Sequence, residues 1–185
     1  MSLSTKKWVG NILIAVSLMG LLFIYYPYIK EFVFPPKFER SQIEKIGFSI
    51  QIPTINVFSE VIENVDPYNN KEYLESLKKG IAHAKGTSLP GKKGTIFLFA
   101  HSSDVPWRIT RYNTAFLKLD FVKNGDEIIV RKNGKVYSYI IYDKKSVWPS
   151  EIKYLKEEQG DILILQTCTP VGTSLQRLLI FAKPV

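Results

Sequence analysis

The chain carries one cysteine and two histidines. Cys168 stands where the apolar run "ILILQ" gives way to the turn-rich stretch "TPVGTS", and Arg177 opens the next apolar run, "RLLIFA". His101 closes a third such run, "GTIFLFAH", ahead of the polar loop "SSDVPWR". These residue types suit acyl transfer. A thiol with a pKa near ~8.5 is only slightly ionised at neutral pH, so a nucleophilic cysteine needs a base or a nearby positive charge. His101 can take the thiol proton and return it to a leaving amine. Arg177, always charged, can stabilise an oxyanion or hold a substrate carbonyl. Plainer readings stand beside these: a free cysteine often fills a core as a small hydrophobe, and a strand-end histidine often bonds only to backbone.

Spacing brings two of the three together. If residues 162–168 and 176–183 form a hairpin about Gly172, residue 168 lies opposite 176, and Arg177 falls within about a residue of Cys168. On its strand Arg177 shares a face with Leu179 and Phe181, so it is expected to be paired or to await an anionic group.

The surrounding elements read as a β domain. Phe48, Ile50 and Ile52 alternate with polar residues as in a half-buried strand, and Pro53 suggests an edge or bulge. "NNKEYLESLKKG" predicts a helix with an asparagine cap, Tyr73, Leu74 and Leu77 on one face, and Gly80 as its stop. "DEIIVRKNGKVYSYIIY" predicts a hairpin turning at Asn133-Gly134. "ILILQT" and "QRLLIFA" read as the last strands, with a short helix expected from Ser150. Many strands and short connections point to a mostly antiparallel barrel or sandwich.

Outside this domain, "WVGNILIAVSLMGLLFIYYPYI" carries no charge from Trp8 to Ile29, about the ~20 residues that cross a bilayer, with aromatics at both ends. It is longer than the usual apolar region of a signal peptide and lacks an A-x-A-like site. The expected organisation is a short cytoplasmic N-terminus (1–7), a transmembrane anchor (8–29), a stalk (30–47) and a catalytic domain (48–185). The domain is expected outside the cell membrane, single-pass, although Lys30, Lys37 and Arg40 nearly balance Lys6 and Lys7. An unpaired thiol in that compartment is a hazard unless it is used. At 185 residues, 45% of them hydrophobic, the chain has material for one ordinary core. The net charge of +8 would suit nucleic acid, an anionic membrane surface or an acidic wall and by itself selects no partner; the scattered lysine pairs read as solvated surface, and no nucleic acid partner is expected.

The segments "IPTINV", "LKKGIAHAKGTSLPGKKGTIFLFAH", "FLKLDFVKNGDEIIV", "ILQTC" and "RLLIFA" together resemble, in order, the sortase family. The resemblance covers about residues 48–185 and implies an eight-stranded sortase β-barrel with a few short helices. It also implies a membrane-anchored cysteine transpeptidase that cleaves a C-terminal sorting signal through a Cys168 thioacyl-enzyme. The acyl group passes to an amine, a cell-wall precursor or a pilin lysine. Cys168, His101 and Arg177 take the family's catalytic positions, and Thr167 the motif threonine before the cysteine, a candidate substrate contact. Ile164 replaces the first threonine of the usual TLxTC, and Ala100 the glycine before the histidine. "DPY" at 66–68 matches the lid motif of pilin-polymerising sortases but follows the first strand, so it reads as a turn. The ending "TCTPVGTSLQRLLI" leans towards class D or E.

No cofactor is expected. Calcium at Glu60, Glu63 and Asp66 is a lesser expectation, as in some sortases. Two other classes remain as alternatives: a membrane-tethered binding module without catalysis, and a zinc hydrolase using His83, His101 and Cys168, which lacks any close-spaced ligand pair.

Overall fold

In the computed structural model of the chain, residues 3–33, 47–103, 114–156 and 159–185 are described. Most of the expected stalk (34–46) and of the loop after His101 (104–113) lie outside them. The chain divides into two compact units, one built on the N-terminal helix and the other on a β-barrel.

Helix α1 (Leu3–Val33) is apolar on every side, and Trp8, Phe23 and Tyr26 are exposed. Its segment Lys6–Tyr26, 21 residues, is long and apolar enough to cross a membrane. At ~1.5 Å per residue that is about the thickness of a hydrocarbon core. The helix includes the stretch expected to span and runs past it on both sides.

Eight strands close the barrel: β1 (Phe48–Ile52), β2 (Val57–Val65), β3 (Ile81–Ala84), β4 (Ile96–Phe99), β5 (Glu127–Lys132), β6 (Lys135–Val147), β7 (Leu163–Thr169) and β8 (Gln176–Pro184). Around the wall the order is β1-β2-β3-β4-β7-β8-β6-β5, returning to β1. Most pairs are antiparallel, as expected, but β2–β3 and β4–β7 are parallel. Pro53 ends β1 by opening a 3-10 turn, Pro53–Ile55. The Asn133-Gly134 hairpin forms as its sequence dictates, both residues at positive φ (51° and 76°). This matches the right-handed twist of the strands it joins.

Helix α2 (Asn70–Leu77) makes the parallel β2-to-β3 crossover. Asn69 caps it by accepting from the Glu72 N–H at 3.3 Å, and Glu72 reaches back to accept from the Asp66 N–H at 3.1 Å. Asp66 in turn accepts from the Tyr68 N–H, so "DPY" is the turn that launches the helix. Leu77 is fully buried and Tyr73 packs on the core, whereas Leu74, expected on the same face, is exposed. Position i+4 from Tyr73 stays on its stripe and position i+1 rotates off it. Gly80 is not the helix stop. The helix ends at Lys78 in right-handed geometry, and a Cβ on Gly80 would lie 2.6 Å from the Glu60 carbonyl oxygen. Glycine is there because β2 passes too close for any side chain. Helix α3 (Lys153–Lys156) begins three residues beyond Ser150, after a turn in which Glu151 accepts from the Trp148 N–H.

His83 on β3 is buried and structural. The register between β2 and β3 shifts between Ile62 and Val65, with Asn64 at φ 63°. The N–H of Asn64 donates to His83 Nδ1 at 3.2 Å, so Nε2 carries the proton and donates to the Ser88 carbonyl at 2.9 Å. Protonating Nδ1 would set two donors against each other. Burial holds the His83 pKa below its ordinary value, against smaller opposing effects of the Ser88 bond and Glu63. The unfolded chain therefore binds a proton below ~6.5 that the native state refuses. Stability should be level above that pH and fall as pH drops through it. Melting temperature followed from pH 7.5 to 5 should fall more steeply for the wild type than for His83→Asn, which lowers stability at every pH but removes this proton; parallel curves would refute the assignment.

Candidate active site

The parallel β4–β7 pair fixes the site. Phe99 lies opposite Gln166, and the ladder continues with the Ala100 N–H donating to the Gln166 carbonyl at 3.1 Å. His101 follows two residues past the end of β4, and Cys168 two residues past Gln166 on β7, so the chain at His101 leaves β4 towards the rim that carries Cys168. On the other side of β7 the antiparallel pairing sets Cys168 directly opposite Arg177, one residue from the partner expected from symmetry about Gly172. The hairpin centre falls between residues 172 and 173. The next strand places Val147 opposite Arg177. Cys168 and Arg177 are thus paired across β7 and β8, and His101 follows the end of the neighbouring β4.

The pleat separates these residues from their chain neighbours. Ala100, Thr167 and Leu178 are 5%, 3% and 2% exposed, whereas His101, Cys168 and Arg177 are each half-buried. Cys168 is therefore not a core filler. Thr167, a candidate substrate contact by sequence, is inside, with its hydroxyl donating to the Ala100 carbonyl at 2.9 Å. This bond ties β7 to the residue that follows β4, immediately before His101 and Cys168.

Arg177 is held by backbone. Its Nη1 donates to the carbonyls of Ser174 (3.1 Å) and Gln176 (3.3 Å) and lies 3.4 Å from Cys168 Sγ. The guanidinium is thereby fixed beside the sulfur. The Ser103 hydroxyl accepts from the Gly172 N–H at 2.8 Å, linking the segment after His101 to the β7–β8 turn.

One contributor was recognised in sequence only as a helix-face residue. The Tyr73 ring stacks on Phe99 (centroids 5.3 Å, planes 8° apart) and meets the His101 ring at 6.1 Å and 87°. Burial raises the Tyr73 pKa, Cys168 raises it further, and Arg177 acts against both. The helical stripe in "NNKEYLESLKK" identifies Tyr73 as inward-facing but not what it faces.

The zinc alternative is not supported. Among the described residues no group of three His, Cys, Asp or Glu side chains could hold a metal, and both His83 ring nitrogens are engaged. Nor do the acidic residues considered for calcium fit an ion: Glu63 pairs with Lys132 and Asp66 holds its turn.

With this geometry in hand, comparison is decisive. A sequence model of the Sortase domain matches residues 50–185. The chain belongs to the sortase family. It is 26% identical over 140 residues to Sortase D of Bacillus subtilis (strain 168), covering 74% of this chain and 62% of that protein, so it spans under two thirds of its relative's length. Sortase C-1 of Actinomyces oris superposes with a TM-score of 0.62 at 29% identity, covering 77% of this chain and 75% of that one. Sortase A of Corynebacterium diphtheriae gives 0.61 at 27% identity, covering 77% and 61%. The eight-stranded sortase barrel is therefore established, and a class D or E relationship is consistent with the Bacillus relative.

Thr167→Val keeps the shape of the side chain and deletes the bond to Ala100. It should lower stability by about 1 kcal/mol or somewhat more, the usual cost of a lost buried hydrogen bond. A melting temperature equal to wild type would show that the clip contributes nothing.

Proposed function

We propose that this sortase is a membrane-anchored cysteine transpeptidase acting on proteins with a C-terminal sorting signal. The observation that carries this reading is the Cys168–Arg177 pair, with the guanidinium 3.4 Å from the sulfur, beside a strand, β4, that His101 follows by two residues. His101 takes the Cys168 thiol proton, the thiolate sulfur adds to the scissile carbonyl, and the carbonyl π electrons move to oxygen. Arg177 donates to this oxyanion. Collapse breaks the C–N bond, the leaving amine takes a proton from His101, and a thioester remains on Cys168. An incoming amine adds to the thioester and loses its proton to His101, and the C–S bond breaks. The acceptor amine is that of a cell-wall precursor or a pilin lysine. Thr167 serves this chemistry from inside, by pinning the strand ends.

Two backbone carbonyls hold Nη1 of Arg177, and among the described residues its other nitrogens make no hydrogen bond. They are the donors available to the substrate. Helix α1 is the anchor, residues 30–47 the stalk, and the barrel faces outward, where its substrates are displayed. The assignment of residues 8–29 as the spanning part rests on their lack of charge and on their place within the apolar helix.

The decisive test incubates the protein with a library of sorting-signal peptides and an amine, and sequences the products. A thiol-directed reagent should label the chain once and abolish cleavage, and Cys168→Ala should be folded and inactive. Arg177→Lys, which keeps the charge and loses the fork, should lower kcat/KM by ~10²-fold, as for loss of one oxyanion donor; activity near wild type would assign the arginine to charge alone. Full activity in Cys168→Ala would end the cysteine mechanism.

The anchor has its own test. Full-length protein should stay with membranes through salt and carbonate washes, and a truncated chain beginning near Lys37 should be soluble. Protease added to intact cells should digest the barrel, and its protection while an external control is digested would reverse the topology.

A further inference from the structure

We propose that Tyr73 is a positioning residue, holding the His101 imidazole in the plane in which it faces Cys168. The inference rests on the transpeptidase reading above and adds to it a residue from a separate element, helix α2.

The chain leaving β4 carries His101 towards the rim of Cys168 but does not orient its ring. The terminal torsion of histidine lies between sp³ and sp² carbons and is broad, so rotamer preference leaves the plane of the imidazole open. Something outside the residue has to close it. Phe99 ends β4, His101 follows two residues later, and both rings meet Tyr73. The Tyr73 ring spans both of them: flat on Phe99 at 5.3 Å with planes 8° apart, and perpendicular to His101 at 6.1 Å and 87°. Phe99 is 3% exposed and immobile in the core, so it serves as the surface on which Tyr73 is set. The perpendicular contact is the favoured aromatic arrangement, and rotating the imidazole out of its plane would lose it.

Helix α2 keeps the brace in place. It is pinned at its start by the Asn69 cap and near its end by buried Leu77, one turn from Tyr73 on the same stripe. Burial alone does not account for an aromatic here, because Leu77 already seals the helix against the barrel and Tyr73 remains half-exposed. The direction of its pKa shift, raised by burial and by Cys168, agrees with a ring standing near Cys168.

The test uses full-length protein in detergent micelles, with Tyr73→Phe, Tyr73→Leu and His101→Ala. Two quantities are read: kcat and KM for peptide cleavage with an amine, and the rate of Cys168 alkylation by iodoacetamide as a function of pH. Tyr73→Phe keeps the ring and should match wild type in both. Tyr73→Leu should lower kcat about 10- to 100-fold, as expected for a misplaced catalytic group, with KM within about twofold. Its alkylation profile should move to that of His101→Ala. If Tyr73→Leu melts more than a few degrees low, Tyr73→Met replaces it with the same readouts.

Wild-type kcat and alkylation in the ringless variant would overturn the proposal. A rise in KM alone would make Tyr73 a substrate wall instead, and an equal loss in Tyr73→Phe would assign the effect to the hydroxyl. The alkylation measurement needs no substrate, so it decides the role of Tyr73 even if no peptide is cleaved, which would be a failure of the transpeptidase reading. Identical alkylation profiles for His101→Ala and wild type would remove the role of His101 and the brace with it.

Discussion

The site depends on one backbone constraint: β4 and β7 run parallel, side by side, towards the same rim of the barrel. An antiparallel neighbour would carry His101 to the opposite rim of the barrel from Cys168. Parallel strands need a long crossover, and here the chain between them supplies the β5–β6 hairpin that completes the far wall. The antiparallel return of β8 then begins where β7 ends, so Arg177 arrives beside the sulfur at little further cost in loop closure. Cys168 and Arg177 meet where β7 turns into β8, at the rim towards which β4 also runs.

The site is stiffened from both faces of the sheet. Beneath it, Ala100, Thr167 and Leu178 are almost wholly buried, and the Thr167 hydroxyl joins β7 to the residue that follows β4. Above it, helix α2 lays Tyr73 across Phe99 and His101. The same helix depends on details elsewhere: the Asp66 turn and Asn69 cap set where it begins, and the close passage of Gly80 beside Glu60 sets where β3 leaves it. The site is thus coupled to a bulge and a turn that take no part in chemistry. Even the buried His83 belongs to this support, since it satisfies the backbone N–H that the β2 irregularity releases.

What could be read from sequence was what local chemistry decides. Asn133-Gly134 needs only its own positive φ angles to make a hairpin, and Asn69 needs only the helix it starts. The Cys168–Arg177 pairing came within one residue because a short hairpin is nearly symmetric, and the error was the half-residue between a centre at Gly172 and one just beyond it. The parallel pairings were not legible. Period-2 alternation is the same for a strand whichever way its neighbour runs, and the choice is made by contacts between distant segments. Leu74 and Gly80 were misassigned for a related reason. Helical spacing allowed Leu74 on the apolar stripe and helix-stop statistics favoured glycine, but the nearness of β2 selected the face and required the glycine.

The pleat also explains why adjacent residues here have such different duties. Thr167 and Cys168 are covalent neighbours, as are Ala100 and His101, yet one of each pair is buried and the other faces the groove. A strand can do this only if the register is fixed, because a slip of one residue would exchange the two faces and bury the thiol. The Thr167 bond to the Ala100 carbonyl acts against that slip one residue before Cys168. A threonine beside Cys168 therefore needs no substrate contact to matter. Its hydroxyl satisfies a buried carbonyl, its branched side chain suits a strand, and its direction into the barrel is what turns Cys168 out of it.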